Sequence, residues 1–334
     1  MEAETVRQAK ERFKEAILQK PNVVGVGYGF KEIRGRRTTD LCVVALVRVK
    51  IPRSALAEQE LVPTRVEGVQ TDVIEVGELR ALQARTDRWR PAPGGVSVGH
   101  FKVTAGTLGA PVRDRATADR LILSNNHVLA NSNQANLGDP ILQPGAIDGG
   151  SPSSDTLARL ERFVQIQFNQ QPPTCGIAKA VADVANFLAR LVGSRHRLRV
   201  IQEDPLAVNR VDAAVARPLN PGDLLGEILD IGEVHDTVPP TLGMAVRKSG
   251  RTTAFTTGQV TVIETTVTVS YGESRTARFE GQIVTSPMSQ GGDSGSLLVD
   301  GESARGVGLL FAGSGQATIY NPIRDVLEAL QIDL

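Results

Sequence analysis

The sequence lacks several features that define large classes of proteins. Only two of its 334 residues are cysteine, so a disulfide framework is not expected. The longest apolar run, residues 41–47, is far too short to cross a bilayer. Basic and acidic residues number 37 each, which leaves no global positive field to attract nucleic acid or an anionic membrane. We therefore expect function to come from a local site, with neither of these partners.

The N-terminal residues do not have the basic start and apolar stretch of a secretory signal. Together with the scarcity of cysteine, this predicts a cytoplasmic protein. Cys42 lies in an apolar run typical of a core strand. Cys175 lies in a proline-rich loop with no histidine at a spacing that would activate it, so cysteine catalysis is not expected.

Aromatic residues total 13, whereas glycine reaches 33 among many Val and Thr residues. This composition favours strands and tight turns over helix bundles, and the length favours two domains. Residues 1–84 read as a small α+β domain. An amphipathic helix over residues 4–20 precedes strands at 23–30, 41–51 and 69–76.

The glycines of the segment Gly25-Val-Gly27-Tyr-Gly29 could suggest a dinucleotide-binding loop. Such a loop needs a following helix, but here an arginine-rich stretch and another strand follow. Glycines in a tightly packed strand are the better interpretation.

Residues 85–95 are polar and rich in proline and glycine, which predicts a linker between domains. From 96 to 334, about a dozen short β-type segments separated by turns predict barrels or sandwiches. Two helices interrupt this pattern. One covers 177–192 within an insertion at about 170–200, and the other closes the chain, with Asn321 as N-cap and Pro322 at the first helical position.

The segment Gly291-Gly-Asp-Ser-Gly-Ser296 precedes an apolar strand and places Ser294 on a glycine-flanked turn. A serine nucleophile needs such a turn, a histidine to take its proton and an acid to orient that histidine. Of the four histidines, His127 is best placed, because it directly follows an apolar strand. His196 lies among arginines and His235 lies in a polar loop, so we expect both to be solvated.

Asp212 is an acidic residue embedded in a short apolar strand. A buried carboxylate is costly without a partner, so its position indicates that one exists. No two histidines have the spacing of metal ligands and no His-Glu-x-x-His helix occurs, so we expect neither a metal nor another cofactor.

Three short motifs occur in the order typical of one family. They are Ser-Asn-Asn-His-Val-Leu around His127, Val-Asp-Ala-Ala-Val around Asp212 and Gly-Asp-Ser-Gly around Ser294. The chain resembles chymotrypsin-like and trypsin-like serine proteases over residues 94–334. The segment 247–253 is similar to bacterial α-lytic-type proteases. The extra N-terminal domain looks more like intracellular trypsin-like peptidases, including the plant narrow-leaf type.

The resemblance implies a mainly β fold, a chymotrypsin-like pair of six-stranded antiparallel barrels followed by a C-terminal helix. It assigns Ser294 as nucleophile, His127 as general base and Asp212 as the group that orients His127. The backbone N–H groups of Gly292 and Ser294 would form the oxyanion hole.

The resemblance also implies how a substrate would bind. The strand 309–313, with Leu310, Phe311 and Ala312, would pair with the substrate backbone. Six residues before Ser294, Met288 would form the base of the primary specificity pocket and favour a medium-sized apolar side chain over Arg or Lys.

The resemblance implies that Asp293, the acid before the nucleophile, is buried and paired with a cation, because an unpaired buried carboxylate costs several kcal/mol. The chain offers Lys248 and Arg247 as leading candidates and Arg251 as the third.

The predicted function is that of a serine endopeptidase acting on a protein or peptide through an acyl-enzyme. One alternative is a catalytically silent protease-fold protein that binds peptides or mediates assembly. Another is a protein whose N-terminal domain is the functional part. We expect that domain to be an interaction or regulatory unit that supports a homo-oligomer, with an inhibitory prodomain as the alternative.

Overall fold

The computed structural model describes residues 2–33, 35–77, 83–173, 175–272 and 275–334. It divides into two compact units, Met1–Gln83 and Ala84–Leu334. Among the residues described, no helix is both long enough and apolar enough to span a membrane.

The first unit is a helix on a four-stranded sheet. Its elements are α1 (Ala3–Leu18), β1 (Val23–Ile33), β2 (Arg36–Val47), β3 (Arg65–Val66) and β4 (Val69–Glu75). The strand order is β1-β2-β4-β3, with β2 and β4 parallel and the other neighbours antiparallel. One stripe of α1, including Val6 and Ile17, packs in the same buried cluster as Val43 and Ala45 of β2. The predicted small α+β domain is confirmed.

The glycines at positions 25, 27 and 29 lie in β1, paired with β2. A Cβ on Gly25 would come within 3.1 Å of the Leu46 side chain, which agrees with a packed strand. A dinucleotide loop would need a helix at this point, where the chain instead continues into β2.

The second unit contains most of the strands and three helices. Its strands are β5 (Ala92–Gly94), β6 (Ser97–His100), β7 (Gly106–Thr107), β8 (Ala110–Asp114), β9 (Arg120–Ser124), β10 (Pro140–Leu142), β11 (Thr156–Phe163), β12 (Gln170–Gln171), β13 (Gln202–Glu203), β14 (Ala214–Pro218), β15 (Leu224–Ile228), β16 (Gly232–Glu233), β17 (Ala245–Gly250), β18 (Ala254–Ser270), β19 (Thr276–Thr285), β20 (Leu297–Asp300), β21 (Gly306–Gly313), β22 (Thr318–Pro322) and β23 (Ile332–Asp333). Its helices are α2 (Asn126–Leu129), α3 (Gly176–Leu191) and α4 (Ile323–Leu330).

Two curled sheets dominate this unit. The first has the order β23-β8-β9-β14-β11-β10-β6-β7. The second has the order β13-β12-β19-β18-β17-β20-β21-β22, and an additional pairing between β19 and β22 closes β17 to β22 into a barrel. The predicted mainly β class is confirmed.

One buried cluster joins the two sheets. It contains Leu123 and Val215 of the first sheet, Leu297 and Leu309 of the second, and the apolar side of α4, including Val326. The C-terminal helix therefore docks on the β structure, as predicted. Its N-cap is Pro322, whereas the predicted cap, Asn321, lies in β22 and points its side-chain oxygen to the backbone N–H of Asp212.

The segment predicted as a linker, residues 85–95, lies within the second unit. Its strand β5 is buried and pairs in parallel with β15, and Arg90 donates to the Gln143 side chain at 2.7 Å. A Cβ on Gly94 would lie 2.7 Å from Ile228 and 2.8 Å from the Gly109 carbonyl oxygen. Glycine is thus needed here for close packing, whereas composition alone suggested a flexible connection.

Candidate active site

His127 is positioned by the asparagines that precede it. It lies in the short helix α2, directly after the buried strand β9, and its side chain is 22% exposed. The Asn126 amide donates to the Val164 carbonyl at 2.7 Å, and the Asn125 amide donates to the Asp212 carbonyl at 2.7 Å. These bonds tie the histidine segment to the residue after β11 and to the residues before β14.

Asp212 lies just before β14 and is fully buried. Its Oδ2 is 2.6 Å from His127 Nδ1, and its Oδ1 accepts the backbone N–H of His127 at 3.2 Å. A carboxylate at Nδ1 favours the tautomer with the proton on that nitrogen, so Nε2 is left free to accept a proton. The pair has the arrangement of a general base and the group that orients it.

Tyr271 is a member of this cluster that was not predicted. It follows β18, and its hydroxyl donates to Asp212 Oδ2 at 2.8 Å. Its ring lies edge-on to the His127 ring, with 6.0 Å between the ring centres. Burial, and then the charge of Asp212, raise the pKa of Tyr271 well above its usual range, so the phenol remains a donor. No local pattern signals this contact, because it joins residues 59 positions apart from different sheets.

Ser294 lies on a turn with two glycines in left-handed conformations, Gly292 (φ 97°) and Gly295 (φ 94°). A Cβ on Gly295 would lie 2.1 Å from the Ser124 hydroxyl, so only glycine fits there. The turn is held against the first sheet by Thr107. Its N–H donates to the Ser294 carbonyl at 2.7 Å and its hydroxyl donates to the Gly292 carbonyl at 2.9 Å.

The donors needed for an oxyanion hole are unengaged. Within the described ranges, the backbone N–H groups of Gly292 and Ser294 have no acceptor. Nor does the Ser294 hydroxyl hydrogen-bond to His127 in this part of the chain. Catalytic hydrogen bonds often tighten only when a ligand is bound, and the free N–H groups leave the turn open to one.

Asp293, beside Ser294, is buried with Lys248. The Lys248 ammonium lies 3.2 Å from Oδ2, and both side chains are 0% exposed. The same oxygen accepts from the Thr253 hydroxyl at 2.6 Å and from the Gln290 N–H at 3.0 Å. Burial works to raise the pKa of Asp293, but the Lys248 charge and these hydrogen bonds outweigh it and lower the pKa.

The other two predicted cations do not pair with Asp293. Arg247 is the neighbour of Lys248 in β17, and its Nε has no hydrogen-bond partner within the described residues. Successive strand residues point to opposite faces, so the Lys248 side chain enters the barrel and that of Arg247 does not. Arg251 forms its ion pair with Asp148, to which its Nε donates at 2.6 Å.

A cavity of about 400 Å³ opens beside the nucleophile turn. Its lining residues in the described chain carry no charge and comprise Ser289, Gln290, Gly291, Ser294, Leu310, Ala312, Gly313, Ser314 and Gly315. Two of the predicted substrate-binding residues, Leu310 and Ala312, are therefore in place.

The other two predicted substrate-binding residues, Met288 and Phe311, are not among the residues that line this cavity. Met288 is 4% exposed and packs in the core with Val246 and Leu298, whereas its neighbour Ser289 lines the cavity. The role of Met288 at the base of the specificity pocket stays a prediction. Phe311 is also buried, with its ring 4.7 Å from that of Phe279. Alternation along β21 turns Phe311 into the core and its neighbours toward the cavity.

The remaining histidines lie elsewhere in the structure. His100 is fully buried against Asp139, and burial, only partly opposed by that carboxylate, lowers its pKa. His196 and His235 are exposed, as predicted. Among the described residues, no cluster of three or more His, Cys, Asp and Glu side chains could hold a metal ion.

Comparison with known proteins supports the resemblance to the trypsin-like serine protease superfamily that the motifs indicated. Serine protease 1 of Streptomyces fradiae is 32% identical over 112 residues, which are 33% of this chain and 29% of that protein. Streptogrisin-A of Streptomyces griseus is 38% identical over 93 residues, 26% of this chain and 29% of that protein. The matches thus span less than a third of these relatives.

No protein-family model matches the chain. Among solved structures, a Nocardiopsis protease (NAPase) is similar, with a TM-score of 0.46 and 17% identity over 72% of this chain and 97% of that one. The chain is similar to these proteins, and the resemblance predicted from its motifs is supported by the local matches.

Proposed function

We propose that the second unit is a serine endopeptidase that hydrolyses peptide bonds through an acyl-enzyme. The observation that carries this proposal is the buried Asp212 carboxylate bound to His127 Nδ1. It occurs in one unit with a serine on a glycine turn that has free backbone donors. This combination provides a base, a nucleophile and an oxyanion site.

In the proposed reaction, Ser294 Oγ attacks the carbonyl carbon of the scissile bond while His127 Nε2 takes the hydroxyl proton. The N–H groups of Gly292 and Ser294 donate to the oxyanion that forms. His127 then gives its proton to the leaving amine as the C–N bond breaks. Water, deprotonated by His127, hydrolyses the resulting ester, and Asp212 remains ionised to stabilise the imidazolium.

We propose that the substrate backbone pairs with the end of β21. This strand lies between β20 and β22, but its bonds on the β20 side end at Leu310. The Ala312–Gly313 end therefore has one unpaired side within the described chain, next to the cavity. Strand addition at such a site supplies main-chain hydrogen bonds.

The cavity supports a preference for an uncharged side chain before the scissile bond. No acidic residue of the described chain lines it, so a Lys or Arg side chain would be desolvated without a counter-charge. Ser289 and Ser314 make its wall partly polar, which favours small or medium-sized uncharged side chains.

A fluorophosphonate probe tests this function, because it reacts only with an activated serine. Labelling should occur on the wild-type protein and map to Ser294, and it should be lost in Ser294→Ala and His127→Ala. Ser296→Ala, which removes a hydroxyl bonded to the Asp293 carbonyl, is a matched serine control. Turnover that survives Ser294→Ala would refute the assignment, and absence of labelling in the wild type would favour the silent binding module.

We propose that the first unit is an interaction or regulatory unit. It contains its own cavity of about 500 Å³, whose lining includes Lys50, Arg53 and Leu56. Sedimentation of the full-length protein tests for the proposed homo-oligomer. A monomer over the whole concentration range would contradict it.

A further inference from the structure

The inserted helix α3 exposes the side that a helix ordinarily buries. Ile177 is 77% exposed and Leu191 is 68% exposed, and the other large apolar residues of the helix are all more than half exposed. These residues are Val181, Val184, Phe187 and Leu188.

These side chains form one continuous stripe. Positions 177, 181, 184, 188 and 191 follow the spacing of three or four residues that aligns side chains along one helix face. The opposite side of the helix faces the segment that follows it, because Ala182 is buried and the Asn186 side chain makes two hydrogen bonds to the backbone of Leu198, at 2.7 and 2.9 Å. The apolar stripe lies on the side away from these contacts.

The surroundings of this stripe are basic. Residues 176–200 contain five basic residues and one acidic residue, Asp183, although the whole chain is neutral. The basic residues are Lys179, Arg190, Arg195, Arg197 and Arg199. All five are exposed.

We propose that α3, with the arginine segment that follows it, docks on an anionic lipid surface. A helix with an apolar face and a basic flank can lie in the plane of a bilayer, its apolar side chains among the upper acyl chains and its arginines at the headgroups. Charge complementarity favours this occupant over a second copy of the chain, because two copies would bring like-charged segments together. This proposal differs from the expectation, based on overall charge, that there is no membrane partner. The basic and acidic residues of the whole chain balance, and this balance conceals the local excess of basic residues in the segment.

The charges also favour a lipid surface over an acidic protein groove. They lie on the polar side of α3 and along the segment beyond its C-terminal end, so no single groove is outlined. A planar surface of mobile anionic headgroups can meet the arginines that follow the helix without a fixed geometry.

Co-sedimentation of the full-length protein with vesicles tests this proposal. We expect binding to vesicles of about 70% phosphatidylcholine and 30% phosphatidylserine, and at least tenfold weaker binding to phosphatidylcholine alone or at high salt. Phe187→Glu with Leu191→Glu should weaken binding at least tenfold, as should Arg195→Gln with Arg199→Gln. Leu219→Glu with Leu242→Glu changes comparably exposed leucines outside α3 and should leave binding unchanged.

Circular dichroism verifies that each variant is folded. Absence of wild-type binding to the anionic vesicles, equal binding to both vesicle types, or equal loss in the control variant would overturn the proposal. A concentration-dependent dimer that Phe187→Glu with Leu191→Glu dissociates, without vesicle binding, would assign the stripe to a second copy. Retention on immobilised polyglutamate without vesicle binding would assign it to an acidic protein.

Discussion

Replacing Tyr271 with phenylalanine tests whether the third partner of Asp212 supports catalysis. The change removes one oxygen atom and leaves the ring, which packs against the rings of His127, Phe168 and Phe279. Asp212 keeps its bonds to His127 Nδ1 and to the His127 backbone N–H. The variant therefore isolates the single 2.8 Å hydrogen bond from the phenol to Oδ2.

A hydrogen bond to a charged group contributes about 1.5–3 kcal/mol. If this bond serves to hold Asp212 in the orientation that His127 needs, and its full contribution is lost, kcat/KM falls by about 10- to 150-fold, since about 1.4 kcal/mol corresponds to a factor of ten. Loss of the phenol also leaves the carboxylate with one donor fewer, so it attracts the imidazolium more strongly. We expect the acid limb of the pH–rate profile to move to higher pH, an effect that loss of packing alone would not cause.

Steady-state hydrolysis of a short peptide ester from about pH 5 to 9 measures both effects. Tyr320→Phe is the matched control, because Tyr320 is a buried tyrosine of the second barrel that does not contact Asp212. A Tyr271→Phe protein with wild-type kcat/KM and an unmoved acid limb would refute the positioning role. An equal loss in Tyr320→Phe would show that the effect is one of packing.

Three further outcomes are expected. Lys248→Met leaves Asp293 buried without its cation and should lower the free energy of unfolding by about 3–5 kcal/mol in urea titrations. Arg247→Met should cost much less, and equal losses would contradict the pairing. Hydrogen bonds from the Thr117 N–H and then from Arg162 lower the pKa of Asp114 from its ordinary 3.8 to about 2. The ionised Asp114 therefore contributes its full stabilisation above pH 3.8, and this stabilisation is lost as the pH falls through about 2. The Tm difference between wild type and Asp114→Asn should therefore shrink between pH 4 and pH 2, and a constant difference would contradict this linkage. Peptides with Ala, Val or Leu before the scissile bond should be cleaved faster than Arg or Lys peptides, and mass spectrometry of a peptide library showing the reverse would contradict the uncharged cavity.

Local sequence patterns were sufficient for the elements and for the principal site residues. The repeated short apolar segments predicted the mainly β class, and the spacing of apolar residues predicted α1, α3 and α4. The residues around His127, Asp212 and Ser294 form recognisable motifs, because the position of each of these side chains depends on its immediate neighbours along the chain. Asn125 and Asn126 tie down the histidine segment, and Gly295 fits where no Cβ could.

Contacts between distant segments could be decided only by the tertiary structure. The sequence contains nothing that brings Tyr271 to Asp212, because their proximity results from the packing of two sheets. Strand alternation separates Lys248 from Arg247, but the packing of the barrel decides which of the two faces its interior. Counting residues back from Ser294 reached Met288, one position away from the cavity wall at Ser289.

The sequence alone also could not decide which helix face or segment is exposed to solvent. Periodicity established that α3 has an apolar face, but whether that face is covered depends on which side the rest of the fold contacts. Likewise, proline and glycine in residues 85–95 fit a flexible linker and a tightly packed strand equally well. The close approach of Ile228 and of the Gly109 carbonyl oxygen shows that Gly94 is tightly packed. Sequence determined which segments form helices and strands and which side chains are candidates for the chemistry, because these depend on neighbours along the chain. The tertiary structure alone determined which side chains pair, which residues line the cavity and which helix faces are exposed, because these depend on residues that are neighbours only in space.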